Sequence, residues 1–260
     1  MKWLFLFLSI AGCSAAYAEP TKGVSTELYC SVLFGKKNCS LSIRFVGAID
    51  ATSANEVALL LDFDAPTEFL YKRLNINSPG GNLDAAMAIG RLLRKHRVSI
   101  MIPKDGQCVS ACVMIYAGAV SRFYLGKIGI HRPYLNQAIG SQLQAPDKLR
   151  SNYEQMLQTL RAYLRDMNVS ERLAEDMMKI APADVRYLSN DDLIGYGLPG
   201  IDPIEQETID LQEAQSMGLD RQEHIRRQAL RKAKCGDPMD LTLDHNALIA
   251  CGETVMKTGR

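Results

Sequence analysis

The sequence lacks an excess of charge of either sign. Its 260 residues include 30 Lys and Arg against 29 Asp and Glu, which leaves a net charge of +1. Because no basic excess is available for nucleic acid or for an acidic membrane surface, we expect no nucleic-acid partner. Gly and Pro are present at ordinary levels, 19 and 10 residues, which excludes collagen and low-complexity disorder. The hydrophobic content of 47% can build a sizeable core, and the length suggests one domain of about 200 residues with an appendage.

The sequence also has little that could cross a membrane. An apolar run from Trp3 to Gly12 follows Met1-Lys2 and leads to Ala16-Tyr17-Ala18, but it is shorter than the roughly 20 residues of a membrane-spanning helix. We interpret residues 1–18 as a secretory signal peptide and expect an exported, periplasmic protein. In a second interpretation, Ile10 to Cys13 is a bacterial lipobox. Cys13 would then be the lipidated first residue of a membrane-anchored lipoprotein.

No Cys-x-x-Cys pair and no histidine cluster accompany the cysteines, so the spacing gives little support to a metal site. With Cys13 set aside, six cysteines remain, an even number that suits disulfides in an oxidising compartment. Closeness in sequence favours the pairs Cys30–Cys39, Cys108–Cys112 and Cys235–Cys251. The first pair would lie in an N-terminal segment, residues 19–40. Metal binding is the alternative interpretation, and we expect neither a metal nor an organic cofactor.

Strand and helix patterns alternate along the middle of the chain. Residue alternation and short apolar runs predict strands over 41–47, 70–76 and 98–102, at Tyr124, and over 128–131. Apolar residues at helical spacing predict helices over 53–61, 83–95, 109–119, 146–167 and 170–179, and a short capped helix from 189 to 197. This alternation predicts an α/β fold with a mainly parallel sheet, which we place at residues 41–200. Residues 201–260 are predicted to be a charged helical extension that ends in a Cys235–Cys251 loop.

Three short segments combine into a candidate catalytic site. Asn77-Ser78-Pro79-Gly80-Gly81 lies between a predicted strand and helix, where adjacent glycines permit close backbone approach and offer N–H groups to negative charge. Gly106 to Cys112 places Ser110 at the start of an apolar helix, which is the geometry of a nucleophile elbow. His131, at the end of a short strand, could accept the proton of that serine. Taken singly, the segments have plainer interpretations: a strand-to-helix turn, a helix N-cap and a structural histidine.

Together, these segments resemble the proteolytic subunit of the Clp proteases, within the Clp protease and crotonase superfamily. The resemblance extends from about Arg44 to Leu198 and includes four segments. Ile76–Gly81 matches the oxyanion loop, and Gly106-Gln107 with Ser110 matches the nucleophile segment. Ile130-His131 with Pro133 matches the base segment, and Tyr187-Leu188-Ser189 with Gly195–Leu198 matches the closing helix. It implies a Clp protease/crotonase-like layered α/β fold with repeated β-β-α units, here followed by the helical C-terminal extension.

The resemblance also implies roles for individual residues. Ser110 would be the nucleophile and His131 the general base, and the backbone N–H groups of Gly81 and Ala111 would form the oxyanion hole. The substrate would lie against two further residues, Gly80 and Pro133.

The third catalytic residue is where the sequence departs from the family. The family has an aspartate at the position that is Val185 here. The neighbouring Asp184 is our candidate for that role. A second departure is the pair Cys108 and Cys112, which brackets Ser110; we expect a structural bridge that rigidifies the elbow.

The expected function is that of an exported serine peptidase that cleaves peptide bonds by acyl transfer. No ATP pool is available to a protein outside the cytoplasm. We therefore expect no ATPase partner and an ATP-independent activity on peptide or protein substrates. The apolar face of the 146–167 helix suggests a homo-oligomer, although it could equally pack on its own core. The alternative is a catalytically inactive, Clp-like peptide-binding or assembly module. A Ser/Lys peptidase, using one of the lysines Lys104, Lys127 and Lys179, is a third interpretation, and an acyl-CoA enzyme is a fourth.

Overall fold

The computed structural model describes residues 23–33, 36–62, 69–134, 138–139, 142–143, 145–236 and 244–260. The predicted signal peptide and the candidate lipid anchor Cys13 lie outside these residues. The strands are β1 (Gly23–Leu33), β2 (Lys36–Val46), β3 (Phe69–Asn77), β4 (Ser99–Ile102), β5 (Gln107–Val109), β6 (Ser121–Tyr124), β7 (Lys127–Ile130), β8 (Ala138–Ile139), β9 (Gln142–Leu143), β10 (Arg186–Tyr187) and β11 (Gly200–Ile201). The helices are α1 (Ala51–Leu61), α2 (Leu83–Lys95), α3 (Cys112–Gly118), α4 (Pro146–Asp166), α5 (Arg172–Lys179), α6 (Asn190–Tyr196), α7 (Pro203–Ser216), α8 (Arg221–Cys235) and α9 (His245–Thr258).

The main sheet has six strands in the order β1-β2-β3-β4-β6-β11. The four central strands, β2, β3, β4 and β6, pair in parallel, while β1 and β11 pair antiparallel at the two edges. A second sheet, β10-β7-β5, combines a parallel β5–β7 pair with an antiparallel β10–β7 pair. This is the mixed α/β, Clp protease/crotonase-like arrangement that the resemblance implied, followed by the three C-terminal helices α7, α8 and α9.

Helix α3 lies at the centre of the core. All seven of its residues are buried, as the uniformly apolar sequence predicts. It packs so closely on α2 that a Cβ atom on Gly118 would overlap the backbone of Gly90. Helix α4 covers α3 from another side, and Tyr163 Oη donates a 2.7 Å hydrogen bond to Met114 O. The start of α3, where the candidate nucleophile stands, is therefore held rigidly.

Three disulfides join Cys30 to Cys39, Cys108 to Cys112 and Cys235 to Cys251. These are the pairs that closeness in sequence predicts. The first connects β1 with β2, and the second connects the end of β5 with α3. The third connects α8 with α9, which corrects part of one prediction: within the expected Cys235–Cys251 loop, residues 245–251 belong to the helix α9. Among the described helices, none is long and apolar enough to span a bilayer.

The C-terminal helices are attached to the main domain through Asp202. Its buried carboxylate accepts a 2.9 Å hydrogen bond from Arg94 Nη2 and a 3.0 Å bond from Asn168 Nδ2. It also accepts from Ile204 N and so caps α7. Burial opposes ionisation of the carboxyl, but the bonds from Arg94 and Asn168 prevail and hold the pKa of Asp202 below its usual value.

Candidate active site

Ser110 stands at a sharp turn between β5 and α3. Its φ of +59° lies in the left-handed region, which non-glycine residues seldom occupy and which costs on the order of 1–2 kcal/mol. The turn is fixed from both sides, because Ser110 N donates to Gly129 O at 2.9 Å and Ser110 O accepts from Val113 N at 3.0 Å. The Cys108–Cys112 bridge, with its Cα atoms 5.2 Å apart, spans the same turn. This is the conformation of a nucleophile elbow.

The glycine pair reaches the elbow from β3. Gly80 (φ +101°) and Gly81 (φ +146°) both have dihedrals that side chains disfavour. A Cβ atom on Gly80 would be 2.6 Å from Val109 O and 2.8 Å from Ser110 Cβ, and one on Gly81 would overlap the Ile49 backbone. Only glycine at position 80 allows the loop to lie this close to the elbow, and only glycine at position 81 allows it to lie this close to Ile49.

Two backbone N–H groups beside Ser110 are free to bind a ligand. Gly80 N donates to Ser78 Oγ, and Asn82 N donates to Ile49 O. Within the described residues, the N–H groups of Gly81 and Ala111 donate to no protein atom, and both residues line the cavity that contains Ser110. Two unused donors at a nucleophile provide what a developing oxyanion needs.

His131 follows directly after β7, and only 6% of its surface is exposed. Its Nδ1 lies 2.9 Å from Arg132 O. A carbonyl oxygen only accepts, so Nδ1 is the donor in this bond, and in the neutral imidazole Nε2 then has the free electron pair of a base. The ring of Tyr134 packs edge-on against the imidazole, with centroids 5.6 Å apart.

The structure does not bring Asp184 to His131. The Asp184 side chain is exposed and is not among the residues that line the cavity. The β10–β7 register pairs Arg186 with Ile130 and Tyr187 with Gly129. Val185 comes one residue before the paired ones, at the position that would oppose His131 if the register continued, and its Cγ1 would lie 2.7 Å from a Cβ atom on Gly129. Like Asp184, Val185 is not among the residues that line the cavity.

Ser110 and His131 line one cavity of about 810 Å³. The glycine loop and the segment after His131 border it, including the predicted substrate-binding residues Gly80 and Pro133. The three lysines considered for a Ser/Lys mechanism are not among its lining residues, and neither is any described residue of the C-terminal extension.

Helix α4 supplies a wall of the cavity that sequence reasoning missed. Its lining residues are Asn152, Gln155, Met156 and Thr159, spaced as i, i+3, i+4 and i+7 on one helix face. This spacing is visible in the sequence. The apolar face of the same helix, however, was interpreted in terms of packing and self-association. The opposite wall includes Leu83 and Met87 from α2, so the cavity combines apolar and amide surfaces.

The layered sheets and the elbow serine define a Clp protease/crotonase-like α/β protein. Residues 30–207 match the protein family described as Clp protease, so this chain belongs to the Clp protease family. Among solved structures it is similar to a serine-to-alanine variant of a 1510-N membrane-bound stomatin-specific protease, with 18% identity, a TM-score of 0.47, and coverage of 64% of this chain and 81% of the other. It is equally similar to a lysine-to-alanine variant of that protease in complex with a substrate peptide, with 18% identity, a TM-score of 0.47, and coverage of 64% and 77%.

Proposed function

We propose that this protein is an exported, ATP-independent serine peptidase that cleaves peptide bonds by acyl transfer. The observation that carries the proposal is the left-handed Ser110 at an elbow, in one cavity with His131 and two unused N–H groups. A serine that only caps a helix has no need of a disfavoured backbone conformation, of a closely approaching glycine or of an imidazole in the same cavity.

Each group has one role in the proposed reaction. His131 Nε2 takes the Ser110 hydroxyl proton as Oγ bonds to the substrate carbonyl carbon. The negative charge that forms on the carbonyl oxygen is bound by the N–H groups of Gly81 and Ala111. Collapse of this intermediate breaks the C–N bond, and His131 returns the proton to the leaving amine. Water, activated by the same imidazole, then hydrolyses the ester on Ser110 and frees the enzyme.

The proposed site works as a dyad. The hydrogen bond from His131 Nδ1 to Arg132 O fixes the tautomer that a base requires. A carbonyl oxygen orients the ring but stabilises the imidazolium less than a carboxylate does, because it bears no net charge. We therefore expect a slower enzyme than one with a full triad. Asp184 stays a candidate third residue only if β10 moves relative to β7.

The three disulfides support an extracytoplasmic location. In such a compartment ATP is absent, which supports an activity without an ATPase partner. The periplasm is the proposed location, with anchoring through Cys13 as the alternative, and the homo-oligomer stays part of the proposal.

The test is activity-based labelling of the oxidised protein with a fluorophosphonate, followed by intact mass spectrometry. Wild type should gain one adduct, Ser110→Ala none, and His131→Ala an adduct that forms at least 100-fold more slowly. Ser121→Ala is the matched control, because Ser121 lies on β6 away from the cavity. Equal labelling of wild type and Ser110→Ala would remove Ser110 from the mechanism.

One observation favours a second candidate function, a peptide-binding module without catalysis: the apolar Val185 stands where the resemblance implies an aspartate, next to the paired residue Arg186. Folded protein that forms no adduct, yet retains an uncleaved peptide at the Gly80-Gly81 loop in a co-crystal, would support this function over the peptidase.

A further inference from the structure

A second group of functional side chains lies between α7 and α8, outside the cavity of Ser110. Asp210 and Glu213 are one helical turn apart on α7, and His224 faces them from α8. One oxygen of each carboxylate and a nitrogen of His224 all lie within 4.8 Å of one another. His224 Nε2 is 3.4 Å from Glu213 Oε2 and 4.0 Å from Asp210 Oδ1.

The other carboxylates on these two helices are neutralised by arginine. Glu205 pairs with Arg97, Glu207 with Arg221, and Glu223 with both Arg226 and Arg227. In the described part of the chain, the only basic side chain within salt-bridge distance of Asp210 or Glu213 is His224. Two carboxylates, one of them buried, thus converge on an imidazole without a permanent cation.

The histidine itself is fully buried, and its polar contacts all involve Nε2. Its Nδ1 has no hydrogen-bond partner among the described residues. Gln228 Nε2 lies 2.9 Å from His224 Nε2 and 3.1 Å from Asp210 Oδ1. The Gln228 amide thus lies between His224 and Asp210, and a second amide, Gln206 Nε2, donates to the same Asp210 oxygen at 2.9 Å. Burial of the Asp210 carboxylate without a cation beside it is unfavourable, and a positive centre between Asp210 and His224 would compensate its charge.

We propose that Asp210, Glu213 and His224 bind one divalent transition-metal ion of the Zn²⁺ class, which clips α7 to α8. Imidazole and carboxylate ligands suit Zn²⁺, with bonds of about 2.0–2.2 Å. A tetrahedral site with such bonds places its ligand atoms about 3.3 Å apart. The His224–Glu213 pair already has this spacing. The Asp210 oxygen lies 4.0 Å from His224 Nε2 and within 4.8 Å of the Glu213 oxygen, so the Asp210 carboxylate has to move closer to both ligands as the Gln206 and Gln228 amides rotate away. Glu213 is half-exposed, which gives the ion an entry path and a water for its fourth position.

The site is structural in this proposal, because none of its residues lines the peptidase cavity. Its spacing, Asp-x-x-Glu followed eleven residues later by His, spans the α7–α8 turn. Ion binding would therefore stabilise the helical hairpin and leave the chemistry at Ser110 unchanged.

The test is isothermal titration calorimetry of the full oxidised chain, stripped with a chelator, against ZnCl₂. Wild type should bind one equivalent with micromolar or tighter affinity, and its Tm should rise on addition of ZnCl₂. Glu213→Gln preserves shape on a half-exposed side chain, so it should fold normally, lose at least tenfold in affinity and lose the rise in Tm. His224→Gln should abolish this binding event.

His96→Gln is the matched control, because His96 and Asp62 form another histidine–carboxylate pair, 2.8 Å apart. It should bind Zn²⁺ as wild type does. Absence of binding to folded wild type would overturn the proposal, and so would equal affinity in wild type and Glu213→Gln. Loss of binding in His96→Gln alone would place the ion at the His96–Asp62 pair, and this result would overturn the proposal too. Fluorophosphonate labelling of Ser110 is expected to be the same with and without the ion, so failure here leaves the peptidase proposal untouched.

Discussion

Gly80 lies directly against Ser110: a Cβ atom on the glycine would be 2.8 Å from the Cβ of the serine. Real Cβ atoms do not approach this closely, so any other residue at position 80 must displace either the loop or the elbow. The two segments come from different strands, β3 and β5, and their contact creates the site with its pair of free N–H groups. The absent side chain of Gly80 thus shapes the candidate site.

Gly80→Ala should reduce fluorophosphonate labelling of Ser110 about 100-fold, the usual effect of losing one oxyanion donor. The methyl group would strain a φ of +101° and push Val109 and Ser110 away. Gly195→Ala is the matched control, because a Cβ atom there meets nothing within 4 Å. Circular dichroism should show both variants folded. Wild-type labelling by Gly80→Ala would mean that the loop does not form the oxyanion site.

Val185→Asp should increase kcat/KM on a peptide substrate, by about tenfold or more, because it puts a carboxylate opposite His131. A negative charge there stabilises the imidazolium that forms as His131 takes the Ser110 proton. The control Val185→Asn has a similar shape without the charge and should not produce the increase. If both variants accelerate the reaction alike, the gain does not come from charge.

The contrast between Gly80 and Asp184 shows how far the sequence alone could lead. The glycine pair, Ser110 and His131 are recognisable because each stands at a strand end with a distinct local pattern, and the structure brings them into one cavity. The position of Asp184 depends on how β10 pairs with β7, and a two-residue strand has no pattern that fixes its register. A one-residue difference therefore separates the expected carboxylate from the observed valine.

Similar reasoning explains why sequence analysis missed the longest of the unpredicted strands, β1, and part of the helix α9. Most described side chains of β1 are exposed, so the strand shows no apolar face and only its pairing with β2 defines it. The first residues of helix α9 were predicted to be part of a loop because the Cys235–Cys251 pair favoured a closed loop as the interpretation of this segment. In contrast, α3 and α4 bury strong apolar patterns, and their bounds agree with the prediction to within about three residues.

Asp202→Asn should destabilise the protein by about 3 kcal/mol at pH 7, because it leaves Arg94 without its buried partner. The depressed pKa of Asp202 also sets a pH dependence. The carboxyl is more acidic in the folded than in the unfolded chain, so its contribution is complete above about pH 4 and is lost as the pH falls through the folded pKa. Urea unfolding at pH 7 and at lower pH should show this loss in wild type and less of it in Asp202→Asn. Asp191→Asn, on an exposed residue of α6, should behave like wild type at each pH.

The Cys108–Cys112 bridge should matter for activity as well as for stability. Both cysteines are fully buried, and the bridge spans the residue whose φ of +59° is disfavoured. The variant Cys108→Ala/Cys112→Ala should lose about 2 kcal/mol of stability from the short closed loop and most of its Ser110 labelling, because the elbow relaxes towards an ordinary helix start. Cys235→Ala/Cys251→Ala is the matched control, since it removes a bridge between α8 and α9, away from the cavity. It should lower stability by about 3 kcal/mol and leave the labelling rate unchanged. Undiminished labelling in the first variant would show that packing of α3 alone holds Ser110 in place.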